Sequence, residues 1–148
     1  MTGKSDFTED EWKLVSEGPA TAGMVVLTAQ GGGSFRETFA MAKAFTEARE
    51  HHGESELLDE LTAAKPDFDR HRYKTPEALR EQGVERIGEA ARLLETKASP
   101  TDVEAYRSFV VALAERVAAA HREGGQDVSP AEQEALDAIR SSLVAPAG

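Results

Sequence analysis

The sequence predicts an all-α protein, and three kinds of observation lead to this fold class. Serine or threonine stands three positions before an acid at several segment starts, which is the pattern of a capping box at a helix N-terminus. Pro100 and Pro130 directly follow two of these residues, at the first helical position, where a missing amide hydrogen costs nothing. Apolar residues then recur at helical spacing, and no segment alternates apolar and polar residues for long enough to indicate a strand.

The length of the chain predicts a single compact domain over residues 1–148, built from about six helices. Residues 1–7 and 144–148 are expected to be frayed, as the ends of most domains are. The first helix is predicted to start at Thr8 and run toward Ala29. A kink or a break is expected inside it at Gly18-Pro19, because proline removes a helical hydrogen bond. Its apolar residues are Trp12, Val15, Ala22, Val25 and Val26.

Two further helices are predicted between the glycines at 31–33 and a polar loop at 65–74. The second helix runs from Ser34 to about residue 52 and carries three phenylalanines on one face. The third helix is short and rich in leucine. The residues that define these two helices are Phe35, Phe39, Ala42, Phe45, Leu57, Leu58 and Leu61.

Three longer helices complete the prediction, beginning at Thr75, Ser99 and Ser129. The fifth helix has the longest apolar stripe, in which spacings of three and four residues alternate, and we expect it to be the central helix of the domain. That stripe consists of Val103, Tyr106, Val110, Leu113, Val117 and Ala120.

The composition excludes several classes of function. The chain has 17 basic and 27 acidic residues, a formal net charge of −10, and no cysteine. An acidic surface repels the phosphates of nucleic acids and anionic membranes, so a protein partner with a basic surface is expected instead. No apolar run is long enough for membrane insertion, and the acidic N-terminus does not resemble a signal peptide. The absence of cysteine is typical of the reducing cytoplasm, where we expect this protein to reside.

Catalytic motifs of the common hydrolase, metalloprotease and phosphate-binding types do not occur in the sequence, so an enzyme is the least favoured interpretation. His51, His52 and His121 fall in the last turns of predicted helices, where a cation meets the negative end of the helix dipole. The segment from Asp67 to His71 alternates potential ligands, but it lacks the glycine and the additional oxygens of a calcium loop.

Two stretches of the sequence are similar to each other, Gln30–Glu37 and Gln126–Glu132. Each is a polar turn followed by a serine-capped helix, with glutamate three residues after the serine. The second stretch resembles the acidic turn and helix start of the tellurite-resistance TerB-like family, over residues 123–143, with a weaker match over 22–42. That family is all-helical, bacterial and cytosolic and is linked to stress responses, so the resemblance implies a TerB-like helical bundle.

The resemblance also implies a candidate site for a divalent cation. The acidic positions proposed to hold such an ion in the family correspond here to Glu37, Asp127 and Glu132, while Gln30 and Val128 differ from the family pattern. The favoured function is a non-catalytic, cytosolic interaction module in a bacterial stress, tellurite or metal response. The alternative is a divalent-cation-binding protein that uses the acidic turns before the second and sixth helices. No other cofactor is expected.

Overall fold

The computed structural model describes residues 7–29, 42–47, 50, 56–63, 73–123 and 130–144. This part of the chain contains helices and no strand, which confirms the all-α fold class. The helices are α1 (Glu9–Ala29), α2 (described over residues 42–47), α3 (Glu56–Ala63), α4 (Pro76–Lys97), α5 (Pro100–Glu123) and α6 (Pro130–Val144).

The start of α1 is held by a reciprocal capping box. The Thr8 amide donates to Glu11 Oε1 at 2.9 Å, and the Glu11 amide donates to Thr8 Oγ1 at 3.1 Å. Phe7 packs against Trp12 with ring centroids 5.7 Å apart, which is the hydrophobic staple that often accompanies such a box. Residues 1–6 lie outside the described residues, so the expected fraying of residues 1–7 stays a prediction.

The predicted caps of α4 and α5 are confirmed. The Thr75 hydroxyl accepts a hydrogen bond from the Ala78 amide at 3.0 Å, and the Ser99 hydroxyl accepts one from the Asp102 amide at 3.2 Å. A proline occupies the first helical position after each cap. These local hydrogen bonds explain why the starts of these helices were readable from the sequence.

Several predicted features lie outside the described residues: Ser34, Phe35, Phe39, His51, His52, Asp67–His71, Ser129 and the glycines 31–33. α6 begins at Pro130, the residue after the predicted cap, and continues through Val144, the first residue of the predicted frayed tail. In α2, Phe45 is buried and meets Phe109 of α5 edge to face at 5.2 Å. Ala42 was expected on that apolar face but is exposed, whereas Ala44 is buried.

The most enclosed helix is α1, although α5 was predicted to be central. Residues 17–23 and 25–27 of α1 are buried, and this helix packs against α4, α5 and α6. α5 contacts α1, α3, α4 and α6, but it buries one side only. The reason lies in residues 18–27, which are small or apolar and carry no charge, because a helix that is apolar on all sides is buried on all sides.

Glycines allow α4 to approach its neighbours closely. A Cβ atom at Gly83 would lie 3.0 Å from Thr21 Cγ2 and 3.2 Å from Val25 Cγ2, both on α1. A Cβ atom at Gly88 would lie 2.5 Å from Ser142 Oγ on α6. Both glycines lie where a side chain would push the helices apart, so α4 is fixed against α1 and α6 at two crossings.

Gly18-Pro19 does not break α1, which continues as one helix from Glu9 to Ala29 with Pro19 inside it. Of the expected kink or break, the break does not occur, and the kink stays a prediction. The Val15 carbonyl, which a residue with an amide hydrogen at position 19 would bind, accepts instead a hydrogen bond from Tyr106 of α5.

Candidate functional site

The cation site expected from the resemblance can be located only in part. Glu132 lies in the first turn of α6 and is fully buried, with no exposed surface. Glu37 and Asp127 lie outside the described residues, as do Gln30 and Val128. Within the described part of the chain, no three histidine or acidic side chains cluster closely enough to hold a metal ion. The grouping of Glu37, Asp127 and Glu132 therefore stays a prediction.

A melting scan tests that prediction. A ligand at 100 times its dissociation constant stabilises the folded state by about 2.7 kcal/mol. We expect millimolar calcium, magnesium or manganese to leave the melting temperature unchanged. A rise of several degrees that disappears in Asp127→Asn would instead establish the cation site.

A different group of acids forms the most distinctive surface of the described chain. Glu77, Glu81, Glu85 and Glu89 are spaced four residues apart along α4, and all four are exposed. With a helical rise of about 1.5 Å per residue, neighbouring glutamates lie about 6 Å apart along the axis, and the row extends over about 18 Å. We call this row the acidic face of α4.

The core packing of α4 directs this face toward solvent. Most buried residues of the helix lie on its opposite side, and the helix packs against α1, α5 and α6. The glycine crossings at Gly83 and Gly88 hold the helix against two of these neighbours. The buried side consists of Leu79, Gly83, Ile87, Ala90, Ala91 and Leu94, and the buried Gly88 lies at the edge of the acidic face, at the crossing with α6.

No basic group among the described residues forms an ion pair with the acidic face. Two arginines of α4 instead contact neighbouring helices: Arg80 pairs with Glu134 of α6 and Arg86 with Glu17 of α1, each at 3.4 Å. Most other described arginines and Lys97 are likewise paired with acids elsewhere. These pairs are Lys97–Glu11, Arg107–Glu95, Arg116–Glu47 and Arg140–Glu115.

The acidic face carries an electrostatic cost for the isolated protein. Like charges four residues apart on a helix destabilise it by roughly 0.2–0.5 kcal/mol per pair, and the row contains three such neighbouring pairs. A cationic surface placed along the row would relieve this repulsion. The arrangement is therefore suited to bind a positively charged surface of similar length.

The sequence motifs pointed to Glu37, Asp127 and Glu132 and not to the acidic face, although the four-residue spacing after Thr75 is readable in the sequence. The spacing alone is ambiguous, since an ordinary solvated helix also carries glutamates. What separates this row from the other acids is that four regularly spaced glutamates on one helix all lack ion pairs within the described chain, and only the tertiary arrangement reveals it.

A second surface feature is an open groove between α5 and α6, with a mainly apolar floor formed by Val111, Ala112 and Leu143. The charged side chains along its walls already have partners within the protein. Arg140 pairs with Glu115 across the groove at 2.9 Å, and Arg107 Nε donates to the Leu143 carbonyl at 2.9 Å. The groove therefore offers no uncompensated charge to select a ligand.

Comparisons with known proteins assign no family. No protein-family model, curated protein or solved structure matches this chain. Among the described helices, none combines the length and the apolar character needed to cross a bilayer. A functional proposal must therefore rest on the geometry of the chain itself, and the acidic face of α4 is its most specific feature.

Proposed function

We propose that this protein is a non-catalytic interaction module that binds a partner protein with a basic surface through the acidic face of α4. The observation that carries the proposal is a row of four exposed glutamates on α4, whose other side is buried. None of the four forms an ion pair within the described chain. Such a row supplies a concentrated negative potential, which favours encounter with a basic partner.

The spacing of the row suggests the form of the partner. Adjacent glutamates lie about 6 Å apart along the axis, which is less than the Debye length of about 8 Å at physiological ionic strength. The four charges therefore act together on a nearby cation. A helix with lysine or arginine at every fourth position has the same rise and matches the row most directly. Binding of this kind weakens as salt is added.

The cellular setting is part of the same proposal. The resemblance of residues 123–143 to the TerB-like family supports a cytosolic role in a bacterial stress or tellurite response. The formal net charge of −10 disfavours nucleic acid and anionic membranes as competing partners.

The proposal is tested by removing the charges of the acidic face without changing its shape. In one variant, Glu77, Glu81, Glu85 and Glu89 are all replaced by glutamine, which has a similar helix propensity. A matched control replaces four exposed acids elsewhere: Glu9, Glu50 and Glu104 by glutamine and Asp10 by asparagine. Each variant removes four negative charges, so the two proteins have the same net charge.

The probe is a labelled helical peptide with lysine at every fourth position, compared with a peptide in which the same residues are scrambled. Fluorescence anisotropy at low and at physiological salt measures the affinity. We expect the spaced peptide to bind the wild type, and the acidic-face variant to lose about tenfold in affinity, or about 1.4 kcal/mol. The control variant should retain most of the wild-type affinity. Equal losses in both variants, or no preference for the spaced peptide, would contradict a site on α4.

A further inference from the structure

Tyr106 makes a buried hydrogen bond between two helices that are distant in sequence. Its ring belongs to α5 and is fully buried, and its hydroxyl donates to the Val15 carbonyl of α1 at 2.8 Å. Burial raises the pKa of this hydroxyl, so it retains its proton and remains a donor at neutral pH. The bond joins residues 91 positions apart.

The acceptor of this bond is the carbonyl affected by Pro19. In a regular α-helix the amide of residue 19 would donate to the carbonyl of Val15, four positions earlier. Proline has no amide hydrogen, and its ring crowds the carbonyl of the residue four positions before it. The Val15 carbonyl therefore requires another donor, and the Tyr106 hydroxyl supplies it.

Gly18 makes this contact sterically possible. A Cβ atom at residue 18 would overlap the Tyr106 hydroxyl oxygen and would approach Cζ of the same ring to 3.2 Å. The Gly18-Pro19 pair thus provides both the space for the tyrosine and the carbonyl that it binds. The Tyr106 side chain of α5 occupies that space and donates to that carbonyl.

The two halves of α1 are held to the protein in different ways. Beyond Pro19, α1 packs closely on α4 at the Gly83 crossing and is buried over residues 20–23 and 25–27. Before Pro19, exposed and half-buried positions alternate with buried ones, and ion pairs such as Glu11–Lys97 at 2.6 Å lie near the surface. Ion pairs of this kind contribute little because solvent screens them. Together with the partly buried Glu17–Arg86 pair, the Tyr106 hydrogen bond is therefore a principal polar tie between the first half and the rest of the protein.

We infer that Gly18, Pro19 and Tyr106 form a conformational latch, in which Pro19 is a hinge within α1 and the Tyr106 hydroxyl holds residues 9–18 closed against the core. Releasing the latch opens this first half of α1 while the second half stays packed. The latch consists of contacts between α1 and α5 and does not rely on the acidic face of α4.

Native-state hydrogen exchange of three variants tests the latch. Tyr106→Phe removes only the donor, so the ring still fills its site. Amides of residues 11–18 should then exchange about tenfold faster than in the wild type, with a much smaller change over residues 22–29. Tyr73→Phe, at the only other tyrosine, is the matched control and should leave residues 11–18 unchanged.

The double variant Pro19→Ala/Tyr106→Phe provides the decisive comparison. Alanine restores an amide at residue 19 that donates to the Val15 carbonyl, so the loss of the tyrosine hydroxyl should accelerate exchange far less in the Pro19→Ala protein. Equal acceleration with and without Pro19 would overturn the inference. Equal acceleration in both halves of α1 would do so as well, because it would show a general loss of stability.

Discussion

α1 and α5 both contribute to the core, but they bury their side chains in different ways. α5 buries a stripe that includes Leu113 and Val117 and leaves Glu104 and Ser108 in solvent. α1 buries residues 17–23 without interruption. A helix with one buried side can fill the core with large side chains, whereas a helix enclosed on all sides needs small residues so that its neighbours can approach.

The difference extends to the forces that hold each helix. For α5, the dominant contribution is the apolar volume of large side chains, which is non-directional. For the middle of α1, close approach and one directed hydrogen bond matter more, because Gly18 and Ala20 have little side-chain volume to bury. Removing side-chain volume should therefore lower the stability of the protein most at α5, whereas adding side-chain volume should lower it most at the middle of α1.

The largest expected effect is the removal of volume from α5. Leu113 is fully buried, so Leu113→Ala should lower the free energy of unfolding by about 2–5 kcal/mol, measured with a chemical denaturant. Ser108→Ala, at an exposed site of the same helix, is the control and should change it by less than about 0.5 kcal/mol. If Leu113→Ala also changed the free energy of unfolding by less than about 0.5 kcal/mol, burial of the apolar stripe of α5 would not stabilise the protein.

The next effect comes from adding volume to α1. Glycine to alanine in a helix interior ordinarily stabilises by about 0.5–1 kcal/mol. Gly18→Ala should instead destabilise by about 1–3 kcal/mol, because the added methyl group overlaps the Tyr106 hydroxyl. Removing that hydroxyl in Gly18→Ala/Tyr106→Phe should recover part of the loss. A stabilising Gly18→Ala would contradict the close crossing of α1 and α5.

A smaller effect distinguishes the start of α5 from its packed interior. The Ser99 hydroxyl accepts from the Asp102 amide, so Ser99→Ala should cost about 1 kcal/mol and Ser99→Gly only a few tenths. Denaturant unfolding measures both variants. If alanine and glycine had equal effects, the cap would not contribute to the start of the helix.

The smallest effect concerns the exposed start of α1. The hydrogen bond from Lys97 and the backbone hydrogen bond of Thr8 lower the pKa of Glu11 below its ordinary value. Because this pKa is lowered on folding, its contribution to stability is present above the unfolded pKa and is lost as pH falls through the folded value. The melting temperature of Lys97→Gln should therefore fall slightly less than that of the wild type between pH 6 and pH 3. Identical pH profiles would show that the pair contributes nothing.

The sequence contains the spacing of the acidic face of α4, but this spacing alone did not identify the face as a candidate site. The four-residue period follows from residue spacing alone, and the exposure follows from the apolar residues on the other side of the helix. The lack of ion pairs depends on where Arg80 and Arg86 point, and both contact other helices. These contacts depend on how α4 packs against α6 and α1, which spacing within α4 does not reveal.

The sequence by itself determined the helical class and the starts of α1, α4 and α5. Caps such as Thr8 and Thr75 bond to amides three residues away, so their effect is local and readable. Only the tertiary structure decided that α1 continues through Pro19 and becomes the most enclosed helix. The donor that satisfies the Val15 carbonyl opposite Pro19 is Tyr106, 91 residues beyond it, and no local pattern encodes a hydrogen bond across that separation.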